Sequence, residues 1–183
     1  PYVTGKVTKN YETDGDAAWK WNGGIDAKII LSTSLNLDLT VNPDYSQVEV
    51  DKQQTNLDRY ELFFPEKRQF FLENSDLFAS LGTENVRPFF SRRIGLQNPV
   101  IAGARLSGNL DKNWRLAIMD IQTDKEEDIY AANYMVATLQ RKVFSRSNVS
   151  AFVINKQVTG VGGDDTFEGS KFNRIAGLEY NLA

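Results

Sequence analysis

Residues 19–31, WKWNGGIDAKIIL, alternate apolar and polar side chains with a single exception at Ile30. A turn at residues 32–34 follows, and the alternation resumes over residues 35–41, LNLDLTV. Period two is typical of a β-strand that has one apolar and one polar face. The two stretches therefore predict a β-hairpin, and they set the architecture that we expect for the rest of the chain.

Strand-like alternation recurs along the chain. It is regular over residues 100–107 and 176–182 and less regular over residues 2–11, 114–123, 130–143 and 148–155, which makes eight predicted strands. None of the 5 prolines lies inside one of them, as a hydrogen-bonded ladder requires. Short turns at residues 32–34, 110–113 and 144–147 alternate with longer connections at residues 12–17, 124–128 and 158–171. Short turns at one end and long loops at the other are typical of an antiparallel up-and-down outer-membrane β-barrel.

The two faces of the predicted strands differ in chemistry. In a barrel the apolar face would contact lipid, with aromatic girdles near both ends of the strands. The predicted lipid-facing or girdle residues are Trp19, Trp21, Leu35, Leu37, Leu39 and Trp114. The predicted lumen-facing residues are Asp26, Lys28, Asp38, Arg105 and Glu179. A soluble β-sandwich with aromatic residues in its core is an alternative with the same alternation.

The composition excludes several kinds of chemistry. The chain has 183 residues, a net charge of −3, no cysteine and no histidine. Disulfides, thiolate or histidine catalysis and thiolate zinc sites are therefore excluded, and the acidic balance argues against a nucleic-acid partner. No apolar run is long enough for a transmembrane helix. Because we find no signal peptide and the last strand pattern stops without a turn, we expect both ends to be cuts in a longer protein.

Residues 43–99 differ from the predicted strands around them. They hold seven of the 11 phenylalanines, interleaved with charges of both signs, which a mobile surface loop would not carry. We expect a plug or cap inserted between strands three and four, with a short helix at residues 75–81. Buried charges need partners, so we predict one ion network in the insertion. Its members would be Glu61, Glu66, Arg68, Glu73, Arg92 and Arg93.

The carboxylates of the insertion allow two sharper hypotheses. Asp44, Glu49 and Asp51 could ligate a hard cation such as calcium, although their spacing matches no EF-hand loop. Glu66 and Glu73 could act as acid and base on a glycan. The sequence identifies no reaction and no cofactor, and we favour a role without catalysis.

Three motifs occur in order along the chain: LDLTVNPDYSQVEVD at residues 37–51, ELFFPEKRQFFLE at residues 61–73 and FSRRIG at residues 90–95. Together they resemble a family of large envelope proteins of Bacteroidota that is known only as a domain of unknown function. The resemblance covers most of the chain. It implies a bacterial outer-membrane location and a barrel that follows a domain similar to family 9 carbohydrate-binding modules. This chain would then lack that module and the later strands, and the resemblance transfers no catalytic residue.

The leading hypothesis is an all-β protein in which residues 1–183 form part of one outer-membrane barrel larger than eight strands. Residues 43–99 would partly fill its lumen, so the protein would act as a gated conduit or as a scaffold in an envelope protein complex. Membrane lipid would surround it, and a glycan is the ligand that the resemblance suggests. The second hypothesis is a surface-exposed enzyme or binding protein for polysaccharide. The third is a soluble β-domain that binds a protein partner.

Overall fold

One antiparallel β-sheet forms most of the part of the chain that the structure describes. The computed structural model describes residues 1–8, 18–44, 65–83, 86–126, 129–160 and 169–182. The strands are β1 Tyr2–Thr8, β2 Ala18–Ser32, β3 Leu35–Val41, β4 Val100–Asn109, β5 Trp114–Thr123, β6 Ala132–Val143, β7 Ser147–Val158 and β8 Phe172–Asn181. They pair in chain order as an 8-stranded sheet, which confirms the predicted all-β, up-and-down arrangement. Within the described residues the first and last strands do not pair, so the sheet is not closed.

The register keeps the alternation of neighbouring strands in phase. Leu37 lies opposite Ile29 on β2 and opposite Leu106 on β4, so apolar side chains continue across strands on one face. Asp38 lies opposite Lys28 and Arg105, so charged side chains continue on the other face. Because successive side chains of a strand point to opposite faces, this register gives the sheet one mainly apolar and one mixed face.

The insertion contributes three short elements that pack on the mixed face. They are α1 Gln69–Leu72, α2 Asp76–Ala79 and a 3₁₀ turn at Ser91–Arg93. A short helix near residues 75–81 was predicted, whereas α1 and the 3₁₀ turn were not. Four-residue helices are not stable alone, so packing must hold them in place. We call the face that they cover the covered face, and the opposite face the outward face.

The hydrophobic core lies between the insertion and the covered face. The insertion supplies Phe71, Leu77, Phe78, Leu81 and Ile94. Strands β5–β7 supply Ala117, Met119, Ile121, Val136 and Phe152. Phe70 packs beside this core, over Gly103, where an added Cβ would lie 3.2 Å from its ring. Apolar packing therefore anchors the insertion mainly to the later strands of the sheet.

The outward face carries large apolar side chains that no other described residue covers. Trp19 is 68% exposed, Trp21 70% and Leu178 81%. Other exposed members of this face are Val3, Val7, Ile25, Ile29, Leu31, Val41, Ile118, Leu139, Val149, Val153 and Tyr180. The predicted lipid-facing residues Leu35, Leu37 and Leu39 lie on the same face and are half-buried. In the described part of the chain, no helix is both long and apolar enough to span a membrane.

Candidate functional site

A row of charged side chains crosses three strands of the covered face. Lys28, Asp38 and Arg105 are cross-strand neighbours on β2, β3 and β4. The Nη2 atom of Arg105 donates to Oδ2 of Asp38 at 2.7 Å, and Nζ of Lys28 lies 3.9 Å from Oδ1. Glu73, directly after α1, meets this row from the insertion. We call Lys28, Asn36, Asp38, Arg105 and Glu73 the wall cluster.

Glu73 connects the insertion to the wall cluster through both carboxylate oxygens. Its Oε2 accepts a hydrogen bond from Lys28 and lies 3.5 Å from Nη2 of Arg105. Its Oε1 accepts from Nδ2 of Asn36 at 2.8 Å. The hydrogen bond from Lys28 lowers the pKa of Glu73, partial burial opposes it, and the net shift is downward. Glu73 is therefore an ionised partner of the wall at neutral pH.

Arg105 is the most deeply buried charge of the wall cluster. Its side chain is 1% exposed, and the ring centroid of Phe70 lies 5.4 Å from its guanidinium carbon. Its Nε and Nη1 atoms are buried and have no hydrogen-bond partner among the residues that the structure describes. Unpaired donors of a buried cation are costly, so this guanidinium has unused capacity to bind an acceptor.

A second cluster lies inside the insertion and centres on the buried Arg68. Its Nε and Nη2 atoms donate to the two oxygens of Glu66 at 2.9 and 2.8 Å. Nη1 donates to the carbonyl of Ile94 at 2.6 Å, and Nη2 also donates to that of Ser91 at 2.7 Å. The guanidinium carbon stands 4.1 Å from the ring centroid of Phe71. Arg68 thereby joins residues 65–68 to the 3₁₀ turn.

Glu66 stays ionised although it is largely buried. Burial raises the pKa of Glu66, but hydrogen bonds from Arg68 and from the Ser91 hydroxyl outweigh that effect, so its pKa lies below the usual value. A general acid needs a raised pKa near the working pH. The electrostatics of Glu66 and Glu73 therefore favour paired structural carboxylates over acid catalysts.

A cavity of about 890 Å³ lies between the first three strands and the insertion. Both clusters contribute to its lining. On the sheet side, Thr40 donates to Asp26 at 2.6 Å, and the Tyr2 hydroxyl accepts from the main-chain N–H of Asp44 at 2.6 Å. The lining thus combines charged and polar groups with apolar side chains such as Phe70 and Leu72, whereas the core over β5–β7 is apolar.

Among the described residues, Glu66 and Glu73 of the predicted ion network belong to two different clusters. Glu66 pairs with Arg68, whereas Glu73 turns away from them and binds the wall. Arg92 is half-buried and donates to the carbonyl of Pro65 at 3.2 Å, and Arg93 is exposed. Glu61 lies outside the described residues. The physical reason for the division is α1, which separates Arg68 from Glu73 and places its buried Phe71 in the core.

The predicted lumen-facing residues Asp26, Lys28, Asp38, Arg105 and Glu179 all lie on the covered face. Glu179 accepts a hydrogen bond from the main-chain N–H of Gly82, so the insertion also touches the last strand. Asn36, Phe70 and Ser91 were not predicted as members of the site. Asn36 has the same strand parity as Asp38, which was an available signal, whereas nothing local distinguishes Phe70 or Ser91.

The calcium hypothesis stays a prediction. Asp44 lines the cavity, but Glu49 and Asp51 lie outside the described residues. Within the described ranges, no group of three or more acidic side chains could hold a metal ion.

The fold and the two clusters define a class: an all-β protein with an open antiparallel sheet and a charged insertion packed on one face. Comparison with protein families matches residues 1–116 to the domain of unknown function DUF5916. The match covers more than half of the chain, and the protein therefore belongs to this family. The matched range includes β1–β4, the insertion and every residue of both clusters. Comparison with curated proteins and with solved structures gave no match.

Proposed function

We propose that this chain forms part of the wall of a bacterial outer-membrane β-barrel and that its insertion plugs the lumen. The observation that carries the proposal is the outward face, which exposes apolar side chains from β1 to β8. Soluble monomers rarely expose apolar patches of more than a few hundred Å². In a transmembrane barrel, such an apolar face contacts the lipid chains of the bilayer and is stable there. The resemblance to Bacteroidota envelope proteins supports the same location.

The distribution of polar residues on the outward face also supports a tilted wall. On β2 the outward side chains are apolar from Leu31 to Trp19, up to the long-loop end. On β5–β8 the long-loop ends carry Asp120, Asn155 and Arg174 instead, and Arg174 donates to Asn155 at 3.1 Å. The apolar band of the outward face thus runs diagonally across the strands of the sheet. Barrel strands tilt by about 35–45°, so a lipid layer crosses neighbouring strands at different residues.

The insertion implies a barrel of more than eight strands. An eight-stranded barrel has an interior just wide enough for its own side chains. Here the covered face also packs against α1, α2 and the 3₁₀ turn. We propose that further strands pair with the open edges at β1 and β8 and enclose the insertion.

An occluded conduit is the role that we propose for this barrel. The insertion packs through apolar side chains on β5–β7, whereas the cavity along β1–β3 has charged and polar groups in its lining beside apolar ones. That side of the lumen is the route that we expect for a polar solute. Permeability of proteoliposomes to a small dye tests it: loosening the insertion by Arg68→Ala should raise permeability. Unchanged permeability would favour a scaffold subunit.

Membrane insertion is tested on the intact protein in isolated envelopes. We expect retention in the outer membrane after carbonate washing, and a gel mobility that changes on boiling because a closed barrel resists detergent until heated. Release into the soluble fraction would refute the proposed barrel.

A matched pair of substitutions tests which face meets lipid. Leu37 lies in a continuous apolar row of the outward face, so Leu37→Arg should cost about 2–4 kcal/mol near the bilayer midplane and reduce assembly. Gln122→Arg is the control, because Gln122 lies on the same face in its polar region, where an arginine should cost about 0–1 kcal/mol. Equal assembly of the two variants would show that the outward face does not contact the bilayer core.

A further inference from the structure

The wall cluster presents donors on three neighbouring strands to a single carboxylate. Lys28 on β2, Asn36 on β3 and Arg105 on β4 all approach Glu73, which belongs to the insertion. The donors are held by the strand register, whereas Glu73 follows a four-residue helix. The binding groups therefore belong to the sheet, and the group that they bind belongs to a separate segment.

The charges of the wall match one monovalent anion. Lys28 and Arg105 carry two positive charges, and Asp38 between them carries one negative charge, so the wall without Glu73 has a charge of +1. Asp38 already accepts from Arg105 at 2.7 Å. A further carboxylate neutralises the row, and its second oxygen can accept from Asn36, as that of Glu73 does at 2.8 Å.

Glu73 leaves hydrogen-bond donors of Arg105 without a partner among the described residues. Its Oε2 lies 3.5 Å from Nη2, a long contact, and the Nε and Nη1 donors have no partner among the described residues. Arginine binds carboxylates most strongly through two parallel hydrogen bonds. A carboxylate that is not tethered to α1 could approach the guanidinium more closely, and Arg105 lines the adjoining cavity of about 890 Å³. This volume lies within the range of ligand sites, about 300–1,000 Å³.

We propose that Lys28, Asn36 and Arg105 form a binding site for a small organic carboxylate, which the side chain of Glu73 occupies in this structure. A free carboxylate takes the place of Glu73, with its body in the cavity. The site depends on the geometry of the wall cluster and not on whether the chain spans a membrane. Failure of this proposal is therefore distinguishable from failure of the proposed barrel.

The test uses the intact protein with Glu73→Ala, which removes the tethered carboxylate and leaves the donors in place. We expect a lower thermal midpoint that sodium acetate restores saturably, while sodium chloride of equal ionic strength does not. At ten times the acetate dissociation constant, mass action should raise the midpoint by about 3–6 °C. For the wild-type protein, sodium acetate and sodium chloride should change the thermal midpoint equally over the same range of concentration.

Asp76→Ala is the matched control. Asp76 also binds an arginine with both oxygens, at 2.6 and 3.2 Å from Arg115, but this pair is exposed to solvent. Acetate should therefore not restore the thermal midpoint of Asp76→Ala. Adding Asn36→Ala to Glu73→Ala should weaken acetate binding severalfold, and if Glu73→Ala does not fold, the titration is made with Glu73→Gln.

Three results would overturn the proposal. The first is an equal effect of acetate and chloride on the Glu73 variants. The second is an equal acetate effect on Asp76→Ala. The third is a larger effect of inorganic phosphate than of acetate, which would assign the site to another class of anion.

Discussion

Arg68 joins two segments of the insertion, so Arg68→Ala tests how the insertion is held together. The change removes two hydrogen bonds to Glu66 and two to the main-chain carbonyls of Ser91 and Ile94. It also removes the contact with the ring of Phe71. The carboxylate of Glu66, which is largely buried, then loses its cationic partner.

The expected cost follows from the contacts that remain. Removing one partner of a buried ion pair typically costs about 3–5 kcal/mol. Glu66 keeps the Ser91 hydroxyl at 2.6 Å and the main-chain N–H groups of Lys67 and Arg68 at 3.1 and 3.0 Å. These donors compensate part of the lost charge, so we expect the lower half of that range, about 3–4 kcal/mol.

Hydrogen exchange of main-chain amides in the insertion measures this loss of stability close to Arg68. The main-chain N–H of Phe71 donates to Arg68, and that of Ile94 donates to Ser91, both at 2.9 Å. A cost of about 3–4 kcal/mol corresponds to exchange faster by about two to three orders of magnitude at these amides, if they exchange by local opening. Amides in the middle of β6 and β7 are the internal control, and their exchange should not change.

A double-mutant cycle separates the charge effect from the loss of packing. Arg68→Met with Glu66→Gln removes both charges and keeps much of the volume, so the double variant should be more stable than Arg68→Ala. The reasoning would be refuted by unchanged exchange at Phe71 and Ile94 in Arg68→Ala. Strictly additive costs of the two single changes, Arg68→Met and Glu66→Gln, would refute it as well.

Two further predictions concern protons and packing. The pKa of Glu66 is lower in the folded protein, so its stabilisation is complete above the ordinary pKa of about 4.3 and is lost as pH falls through the folded value. Thermal denaturation from pH 7 to pH 3 should show this loss, and Glu66→Gln should weaken it. Gly177→Ala should cost about 1–3 kcal/mol by denaturant titration, because the added Cβ would lie 2.6 Å from Cε1 of the buried Phe152. Gly23→Ala is its control, since the nearest atom there is at 3.6 Å, and equal costs would contradict the packing argument.

The strands could be predicted from the sequence because strand periodicity is local. Residues 114–123 were predicted as a strand, and β5 has these bounds, Trp114–Thr123. Gly108, just before the second short turn, has φ +142° and faces Leu35, whose Cα would lie 2.9 Å from an added Cβ. The φ value and the close approach of β3 explain why glycine lies at this position, but the turn at residues 110–113 was predicted without it.

The wall cluster could not be predicted as a unit because its geometry is not local. Alternation assigns Asp38 and Arg105 to the same face, but a shift of two residues between β3 and β4 would keep that face and separate the pair. The insertion between these strands hides the register from any short-range signal. Similarly, Glu73 was expected to belong to an ion network with the arginines of the insertion. The short helix α1, which has no side-chain cap and is held by packing, directs Glu73 to Lys28 instead.

The insertion is attached to the sheet in two chemically different ways. On β5–β7 it buries apolar side chains, a contact that salt and pH hardly change. On β2–β4 its contacts include the ion pair of Glu73, whose partner Lys28 is half exposed, so this part of the attachment is weakened by salt and by competing anions. The cavity lies on this second side. Because the weaker contact borders the cavity, we expect any movement of the insertion to begin at the wall cluster, with the apolar core over β5–β7 as the part that stays in place.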